Sequence, residues 1–379
     1  MPTRKLFDWI SLNLLPGLGP ISRQRALARF GDPGEIAYRL PARALASLPR
    51  MSGKRLDALL GARKTLRKRA EREMRRAERL GLRLVAWGDP AYPAALTDLP
   101  DPPVLLYMRG NLPEGVARIA VIGSRRATLY GQRVATGLGA GLAAHGVEVV
   151  SGGARGIDTC AHVGTLEDGG RTVVVMGSGF CHIYPEENEE LFERVAESGA
   201  VLSEFPLDYG PKAENFPRRN RVISGLSAAV VVVEATRRSG SLVTAGHALE
   251  QGREVLAIPG PVSSDRSEGC HLLIQQGAKL VQTVEDIVEE LSPMYRGAVQ
   301  KPAAAESNGA EQLAGLLPDE EAVLGLLDTV EPLQLDQLAE RAPFSFARLQ
   351  TALFALEVRG VVDSHPGCYY QRKSARSLS

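Results

Sequence analysis

Short aliphatic runs alternate with helix-like segments through the middle of this chain, from about residue 82 to residue 291. The runs predict strands at 83–86, 104–107, 119–122, 148–150, 172–176, 201–202, 229–234 and 255–258. Several are apolar throughout, as expected for strands covered on both faces. Strands that alternate with helices form a mostly parallel sheet, so the sequence predicts an α/β core with helices on both faces of the sheet.

A chain of 379 residues exceeds the size of one typical domain, so we expect more than one. The first eighty residues are predicted to form a separate helical domain. LPGLGPISRQRALARFG (15–31) places a Gly-Leu-Gly turn before a helix, and LPRMSGKRLDALLGARK (48–64) repeats this plan loosely. The pattern is similar to a SAM or helix-hairpin-helix domain. Its turns either present amides to DNA phosphates or belong to a helical bundle without DNA contacts. The basic stretch 63–79 is interpreted as a solvated linker helix in preference to a dedicated binding surface.

The end of the chain predicts a linker followed by a small domain. Residues 293–317 are rich in Ala, Gly and polar side chains, which indicates a flexible linker. Residues 318–379 fit a winged helix, with three helices at about 319–328, 333–341 and 345–358 and a hairpin in GVVDSHPGCYY. The third helix carries few cations, so we expect this domain to contribute little to nucleic-acid affinity.

Composition excludes several classes of protein. The formal net charge is only +1, so any affinity for nucleic acid must come from local clusters. The four cysteines form no CxxC pair and the six histidines no HExxH motif, which predicts neither a metal nor another cofactor. No apolar stretch reaches membrane-spanning length and no secretory leader is recognisable. We expect an intracellular protein without membrane insertion.

Three predicted strands end in small residues followed by the start of a helix. The first is SGGARGIDTCAH (151–162), and similar loops are GSRR (123–126) and RRSGS (237–241). Glycines allow close approach of the backbone to a ligand, and the first amides of a helix attract anions. A tight turn without a ligand remains the alternative. In a parallel sheet the three loops share one edge, so they predict a row of phosphate sites.

A fourth segment, ENFPRRNRVISGLS (214–227), crowds three arginines near the start of a helix. The helix dipole disfavours cations there, so a nearby anion is expected. A charged, solvated surface is the alternative to a lined groove. Asp158, Glu204, Glu214 and Glu234 form no recognisable acid–base or metal-binding pair, which favours binding without chemistry.

These motifs together resemble the DNA-processing protein A family, also called Smf. The resemblance rests on IGSRRA, SGGARGIDTCAH, NFPRRNRVISGLS, EATRRSGSLVTAGHALEQGREVLAIPG and EGCHLLIQQGA, and it covers residues 80–290 densely. It implies a Rossmann-like domain at 81–292. It also implies a cytoplasmic single-stranded DNA-binding protein that protects incoming DNA in natural transformation, loads the RecA recombinase and forms a homodimer.

The resemblance implies DNA contacts at the four motifs. They are Ser124, Arg125, Gly153, Arg155, Gly156, Lys212, Phe216, Arg219, Asn220, Arg221, Ser239, Gly240 and Ser241. Two other functions remain open. A related phosphoribohydrolase would act on a mononucleotide, but SGSLVTAGHALE lacks the acid of its PGGxGTxxE motif. An adaptor whose C-terminal domain docks proteins is compatible with DNA binding.

Overall fold

The computed structural model describes residues 3–49, 51–291, 316–329, 331–358, 361–365 and 367–373. The chain forms two compact units, Met1–Gln300 and Lys301–Ser379. Most of the predicted linker, residues 293–315, lies outside the described residues. The predicted domain limits at 80, 292 and 317 remain predictions.

Nine strands of the described part of the first unit form one sheet. They are β1 (Arg83–Ala86), β2 (Leu105–Gly110), β3 (Arg118–Ile122), β4 (Glu148–Ser151), β5 (Thr172–Val175), β6 (Ala200–Ser203), β7 (Ala229–Val232), β8 (Glu254–Ala257) and β9 (Lys279–Leu280). The order is β1-β2-β6-β5-β4-β3-β7-β8-β9. The β1–β2 and β2–β6 pairs are antiparallel and the other pairs are parallel. The prediction of a mostly parallel sheet is confirmed; β9 was not predicted.

Eleven α-helices occur in the described residues of this unit. They are α1 (Thr3–Leu14), α2 (Pro20–Phe30), α3 (Ala42–Ala46), α4 (Gly53–Arg79), α5 (Leu129–Ala144), α6 (Ile157–Glu167), α7 (Glu189–Ser198), α8 (Asn215–Leu226), α9 (Gly240–Glu250), α10 (Glu268–Gln275) and α11 (Val284–Val288). The N-terminal helical region is confirmed.

Alternate side chains of the central strands pack against helices on opposite faces of the sheet. On β3, Ile119 and Val121 join an apolar cluster with residues of α5 and α6. Ala120 and Ile122 instead join a cluster with residues of α8, α9 and α10. The strands are therefore covered on both faces, which explains why their sequences are apolar throughout.

The N-terminal helices share an apolar core with the sheet. Trp9 and Leu12 of α1 and Leu66 of α4 belong to one buried cluster with Leu105 and Tyr107 of β2. Helix α4 begins after Ser52, whose hydroxyl accepts a hydrogen bond from the amide of Arg55 at 3.4 Å. It continues without interruption to Arg79.

The interpretation of residues 63–79 as a solvated linker helix is wrong. Leu66, Ala70, Glu73 and Ala77 form a buried face of α4. The carboxylate of Glu73 accepts hydrogen bonds from the Tyr107 hydroxyl at 2.8 Å and from the Leu207 amide at 2.7 Å. One face of this basic helix therefore packs on the α/β core, and its opposite face meets solvent.

The described residues of the second unit form a winged helix, as predicted. Three helices, α12 (Pro318–Leu326), α13 (Leu335–Arg341) and α14 (Phe346–Val358), surround a buried apolar cluster. Strands β11 (Val362–His365) and β12 (Tyr369–Arg372) form the hairpin, and the short β10 (Leu333–Gln334) pairs with β12. In α14 the guanidinium of Arg348 donates to Asp319 at 2.7 Å, so this cation is already paired.

Candidate nucleic-acid interface

A groove of about 650 Å³ opens beyond the carboxyl ends of β3, β4 and β7. Strands β3 and β7 are neighbours in the sheet, although three strands separate them along the chain. From β3 the chain builds the sheet first through β4 and β5 on one side and later through β7 and β8 on the other. Ligands of open α/β sheets bind where the direction of strand addition reverses in this way.

The loop after β4 is folded around the buried carboxylate of Asp158. This carboxylate, in the first turn of α6, accepts hydrogen bonds from the amides of Gly152 at 3.1 Å and Ala154 at 3.3 Å. Burial raises the pKa of Asp158, while the charge of Arg219 and the two amides oppose this rise. Asp158 thus holds the loop together.

Gly156 joins the loop after β4 to the loop after β3. Its φ of +79° favours glycine, and a Cβ there would overlap the carbonyl oxygen of Ser124. The amide of Ile157 also donates to the carbonyl of Ser124 at 3.2 Å. The glycine therefore allows the two loops to touch at the edge of the groove.

The loop after β3 is joined to the start of α9 by a hydroxyl contact and to the loop after β8 by guanidinium contacts. Ser241 donates from its hydroxyl to the carbonyl of Gly123 at 3.0 Å. Arg266 donates to the hydroxyl of Ser124 at 2.7 Å and to the carbonyl of Arg126. Ser239 caps α9 by accepting from the amide of Ser241 at 3.2 Å. The N-terminus of α9, which favours anions, thus begins in the wall of the groove.

Arg219 supports the groove from below. Its guanidinium donates to the carbonyl of Gly152 at 2.7 Å and to the carbonyl of Val175, and the residue is only 4% exposed. Burial lowers the pKa of Arg219 to about 10; Asp158 opposes this effect and Arg125 adds to it. Arg219 remains charged at neutral pH and ties the start of α8 to two strand ends.

Two aromatic rings lie beside exposed cations at the mouth of the groove. The guanidinium carbon of Arg125 lies 4.8 Å from the ring centroid of Phe216, and the Tyr184 ring lies 5.8 Å from the Phe216 ring. Arg155 lies 5.8 Å from the Tyr184 centroid and donates to Glu187 at 2.9 Å. Such a surface offers charge to a phosphate and an apolar face to a base.

Carboxylates are scarce at the groove. Among the described residues that line it, only Asp158 is acidic, and its carboxylate already accepts hydrogen bonds from the amides of Gly152 and Ala154. The described part of the chain holds no group of three or more His, Cys, Asp or Glu side chains placed to bind a metal ion. Within the same residues, none of the helices is long and apolar enough to cross a membrane.

Residues 83–292 match the sequence profile of the family DNA recombination-mediator protein A. The chain belongs to this family. Residues 303–368 match the DprA winged helix domain. The chain is 43% identical to Protein Smf of Escherichia coli K12 over 288 residues, which cover 75% of this chain and 76% of that protein. It is 43% identical to the DNA processing protein DprA of Streptococcus pneumoniae over 203 residues, or 53% and 72% of the two chains.

Solved structures of family members share this architecture. DNA processing protein A from Streptococcus pneumoniae superposes with a TM-score of 0.66 at 33% identity, covering 75% of this chain and 98% of that chain. DNA processing protein A from Helicobacter pylori, described for its single-stranded DNA binding mode, has a TM-score of 0.50 at 28% identity, with coverages of 55% and 98%.

The fold brings together most of the site residues predicted from family motifs. The groove is lined by Ser124, Arg125, Phe216, Arg219, Asn220, Ser239, Gly240 and Ser241. Arg155 lies in an adjoining cleft that shares Arg125, Tyr184 and Phe216 with the groove. Lys212 is exposed between two groove-lining residues, Pro211 and Ala213, with its ammonium 5.1 Å from the Tyr209 ring centroid.

Besides Arg155 and Lys212, three predicted residues lie outside the groove lining of the described chain: Gly153, Gly156 and Arg221. A Cβ on Gly153 would meet the ring of Phe192, so this glycine packs against α7. The side chain of Arg221 is 5% exposed; it donates to Glu204 at 2.7 Å and lies 3.2 Å from Asp101. Their contact with DNA remains a prediction, and the packing gives each of them a structural role.

Glu204 is the centre of a buried ion-pair cluster behind the groove. Its carboxylate pairs with Arg221 at 2.7 Å and with Arg218 at 3.1 Å. Burial opposes ionisation of Glu204, but the charges of Arg221 and Arg218 outweigh it, so the pKa lies below the usual value. Two of the three arginines of NFPRRNR, Arg218 and Arg221, are thus neutralised by a carboxylate of the protein itself, that of Glu204.

Tyr184 and Arg266 belong to the site but were not predicted. Tyr184 lines both the groove and its adjoining cleft. Arg266 fixes the loop after β3. Both are distant in sequence from the glycine-rich loops. The only sequence feature that marks Tyr184 is its place in a Tyr-Pro pair directly before the acidic run 186–190.

Proposed function

We propose that the chain binds single-stranded DNA in the groove beyond β3, β4 and β7. The observation that carries this proposal is the arrangement of Arg125, Phe216 and Tyr184: the exposed cation of Arg125 lies against the Phe216 ring, which in turn lies beside the Tyr184 ring. Among the described residues, no hydrogen bond or ion pair occupies the Arg125 guanidinium. A phosphate can therefore take it without displacing a carboxylate.

In this proposal the backbone and the side chains take different parts of the strand. Phosphates contact Arg125, Arg155 and the amides that begin α9, while bases stack on Phe216 and Tyr184. None of these contacts reads the edge of a base. Affinity is therefore expected to depend on strand length and salt more than on sequence.

Family membership supports the cellular part of the proposal. The chain protects incoming single strands during natural transformation and loads RecA onto them in the cytoplasm, acting as a homodimer. Recombination mediation is the description of the family itself. Light scattering at micromolar concentration is expected to give the mass of a dimer, and a strictly monomeric species would contradict this part.

We further propose that the groove binds DNA without catalysing a reaction. The support is chemical: hydrolysis needs a positioned acid, base or metal, and Asp158 is engaged by Gly152, Ala154 and the charge of Arg219. The segment at the start of α9, SGSLVTAGHALE, carries its acid only at Glu250.

A competition experiment tests this proposal. A labelled single-stranded oligonucleotide is bound to the full chain and displaced by an unlabelled strand, by the duplex of the same sequence, or by mononucleotides. We expect the single strand to displace the label at the lowest concentration. Preferential binding or turnover of a mononucleotide would support the phosphoribohydrolase instead.

A further inference from the structure

The exposed face of α4 carries a continuous stripe of cations. It consists of Lys64, Lys68, Arg72, Arg75 and Arg79, all exposed. At 100° per residue these five side chains fall within an arc of about 80°, and they extend along about 22 Å of helix. The acidic residues of α4 between them, Glu71, Glu73 and Glu78, fall outside this arc.

The stripe differs from an ordinary solvated helix face. Such faces mix charges, and opposite charges at i,i+4 stabilise the helix. Here Lys64 and Lys68, Lys68 and Arg72, and Arg75 and Arg79 are like-charged i,i+4 pairs, which destabilise it. Only one stripe residue, Arg75, has an opposite charge at this spacing, from Glu71. Within the part of the chain that the structure describes, no ion pair joins any of the five to an acidic residue. A polyanion would neutralise the repulsion.

A chain of contacts joins the stripe to the rim of the groove. Arg76, one turn after Arg72, pairs with Asp208. Next to Asp208, the ring of Tyr209 carries the ammonium of Lys212 at 5.1 Å. The neighbours of Lys212 line the groove. The segment 208–213 thus leads from the C-terminal half of α4 to the proposed DNA site.

We propose that the stripe of α4 is a second phosphate-binding track, which holds the same DNA strand after it leaves the groove past Lys212. This inference rests on the proposed single-strand binding and extends it. The contacts are to phosphates alone, because the stripe has no aromatic side chain. Short strands fill the groove without reaching α4, and longer strands engage both surfaces.

The test compares two strand lengths with a stripe variant and a matched control of the full chain. The stripe variant changes all five cations to Gln. The control changes five exposed cations elsewhere to Gln, namely Lys5, Arg25, Arg39, Arg43 and Arg194. Oligonucleotides of about 6 and about 30 nucleotides are used, which span the usual site sizes of single-strand-binding domains.

We expect the stripe variant to bind the long strand at least about tenfold more weakly than the control, with a shallower salt slope by roughly 0.7 for each lost phosphate contact. Both variants bind the short strand like the parent. Equal affinity of the two variants for the long strand would overturn the second track. Equal DNA affinity with selective loss of polyglutamate binding would identify an acidic protein as the ligand. Failure of the parent to bind either strand would refute the groove itself.

Discussion

The guanidinium of Arg219 donates a 2.7 Å hydrogen bond to the carbonyl oxygen of Gly152, 67 positions earlier in the chain. This bond connects the N-terminal half of α8 to the loop after β4. Because Asp158 holds the amide of the same glycine, the loop is fixed from both sides. The backbone that we propose to bind phosphate is thus organised without a ligand, which reduces the ordering cost of binding.

Replacing Arg219 with alanine is expected to destabilise the protein. The change removes the charge that favours ionised Asp158 and the hydrogen bonds that the guanidinium donates to two buried carbonyls. A loss of roughly 3 kcal/mol in the free energy of unfolding follows from breaking a buried charge interaction. Denaturant unfolding measures it. Arg125→Ala, at an exposed site of the same groove, serves as the control and should leave stability within about 0.5 kcal/mol.

Replacing Gly156 with alanine is expected to weaken DNA binding at least about tenfold, some 1.4 kcal/mol. The new Cβ would force apart the loops after β3 and β4, and the positive φ adds strain. Fluorescence anisotropy with a labelled strand measures the change. Gly246→Ala is the matched control, since open space surrounds that position within α9. Unchanged affinity of the Gly156 variant would show that contact between the loops is dispensable.

Glu204 is expected to make stability sensitive to acid. Its folded-state pKa lies below the usual 4.5, so its charge stabilises the fold fully above that pH and less as the pH falls through the lowered value. Glu204→Gln should cost roughly 3 kcal/mol at pH 7, because it leaves Arg221 and Arg218 without their shared anion. Thermal melting of parent and variant between pH 7 and pH 3 measures the difference.

The difference in stability between the parent and Glu204→Gln should become smaller as the pH falls below the usual pKa of Glu204. Protonation then removes from the parent the charge that the variant already lacks. Asp158 acts in the opposite direction, since its pKa is raised by burial, but it is present in both proteins and its effect cancels. A gap that stays constant down to pH 3 would contradict the ion-pair account of Glu204.

Removing residues 318–379 is expected to leave single-strand affinity within about tenfold of the parent, or 1.4 kcal/mol. The winged helix lies in a separate compact unit, and Arg348 of α14 is already paired with Asp319. The binding assay with the truncated chain measures this. A larger loss would place a major part of the DNA site in the C-terminal unit.

The sequence predicted the sheet well because its strands carry a local signal. All eight predicted strands form, with ends mostly within one or two residues. Strand β9 has only Lys279 and Leu280, too short for any periodicity. The strand ends located the glycine-rich loops, and parallel pairing then placed the loops after β3, β4 and β7 on one edge.

The roles of the arginines were harder to predict, because burial depends on distant partners. Arg219 and Arg221 are near neighbours in sequence. Arg219 nevertheless lines the groove, whereas Arg221 forms a buried ion pair with Glu204. Nothing in NFPRRNR distinguishes them. For α4, by contrast, the spacing of Leu66, Ala70 and Ala77 did contain the signal of a buried face, which the many surrounding cations obscured.

The salt dependence of single-strand binding by Arg125→Ala tests the central claim most directly. Binding is measured by anisotropy over a series of salt concentrations for the parent, for Arg125→Ala, and for Arg194→Ala as an exposed control outside the groove. We expect Arg125→Ala to bind more weakly and to flatten the slope of log K against log salt by roughly 0.7, one phosphate contact on a single strand. An Arg125 variant with the parent's affinity and slope would contradict DNA binding in this groove.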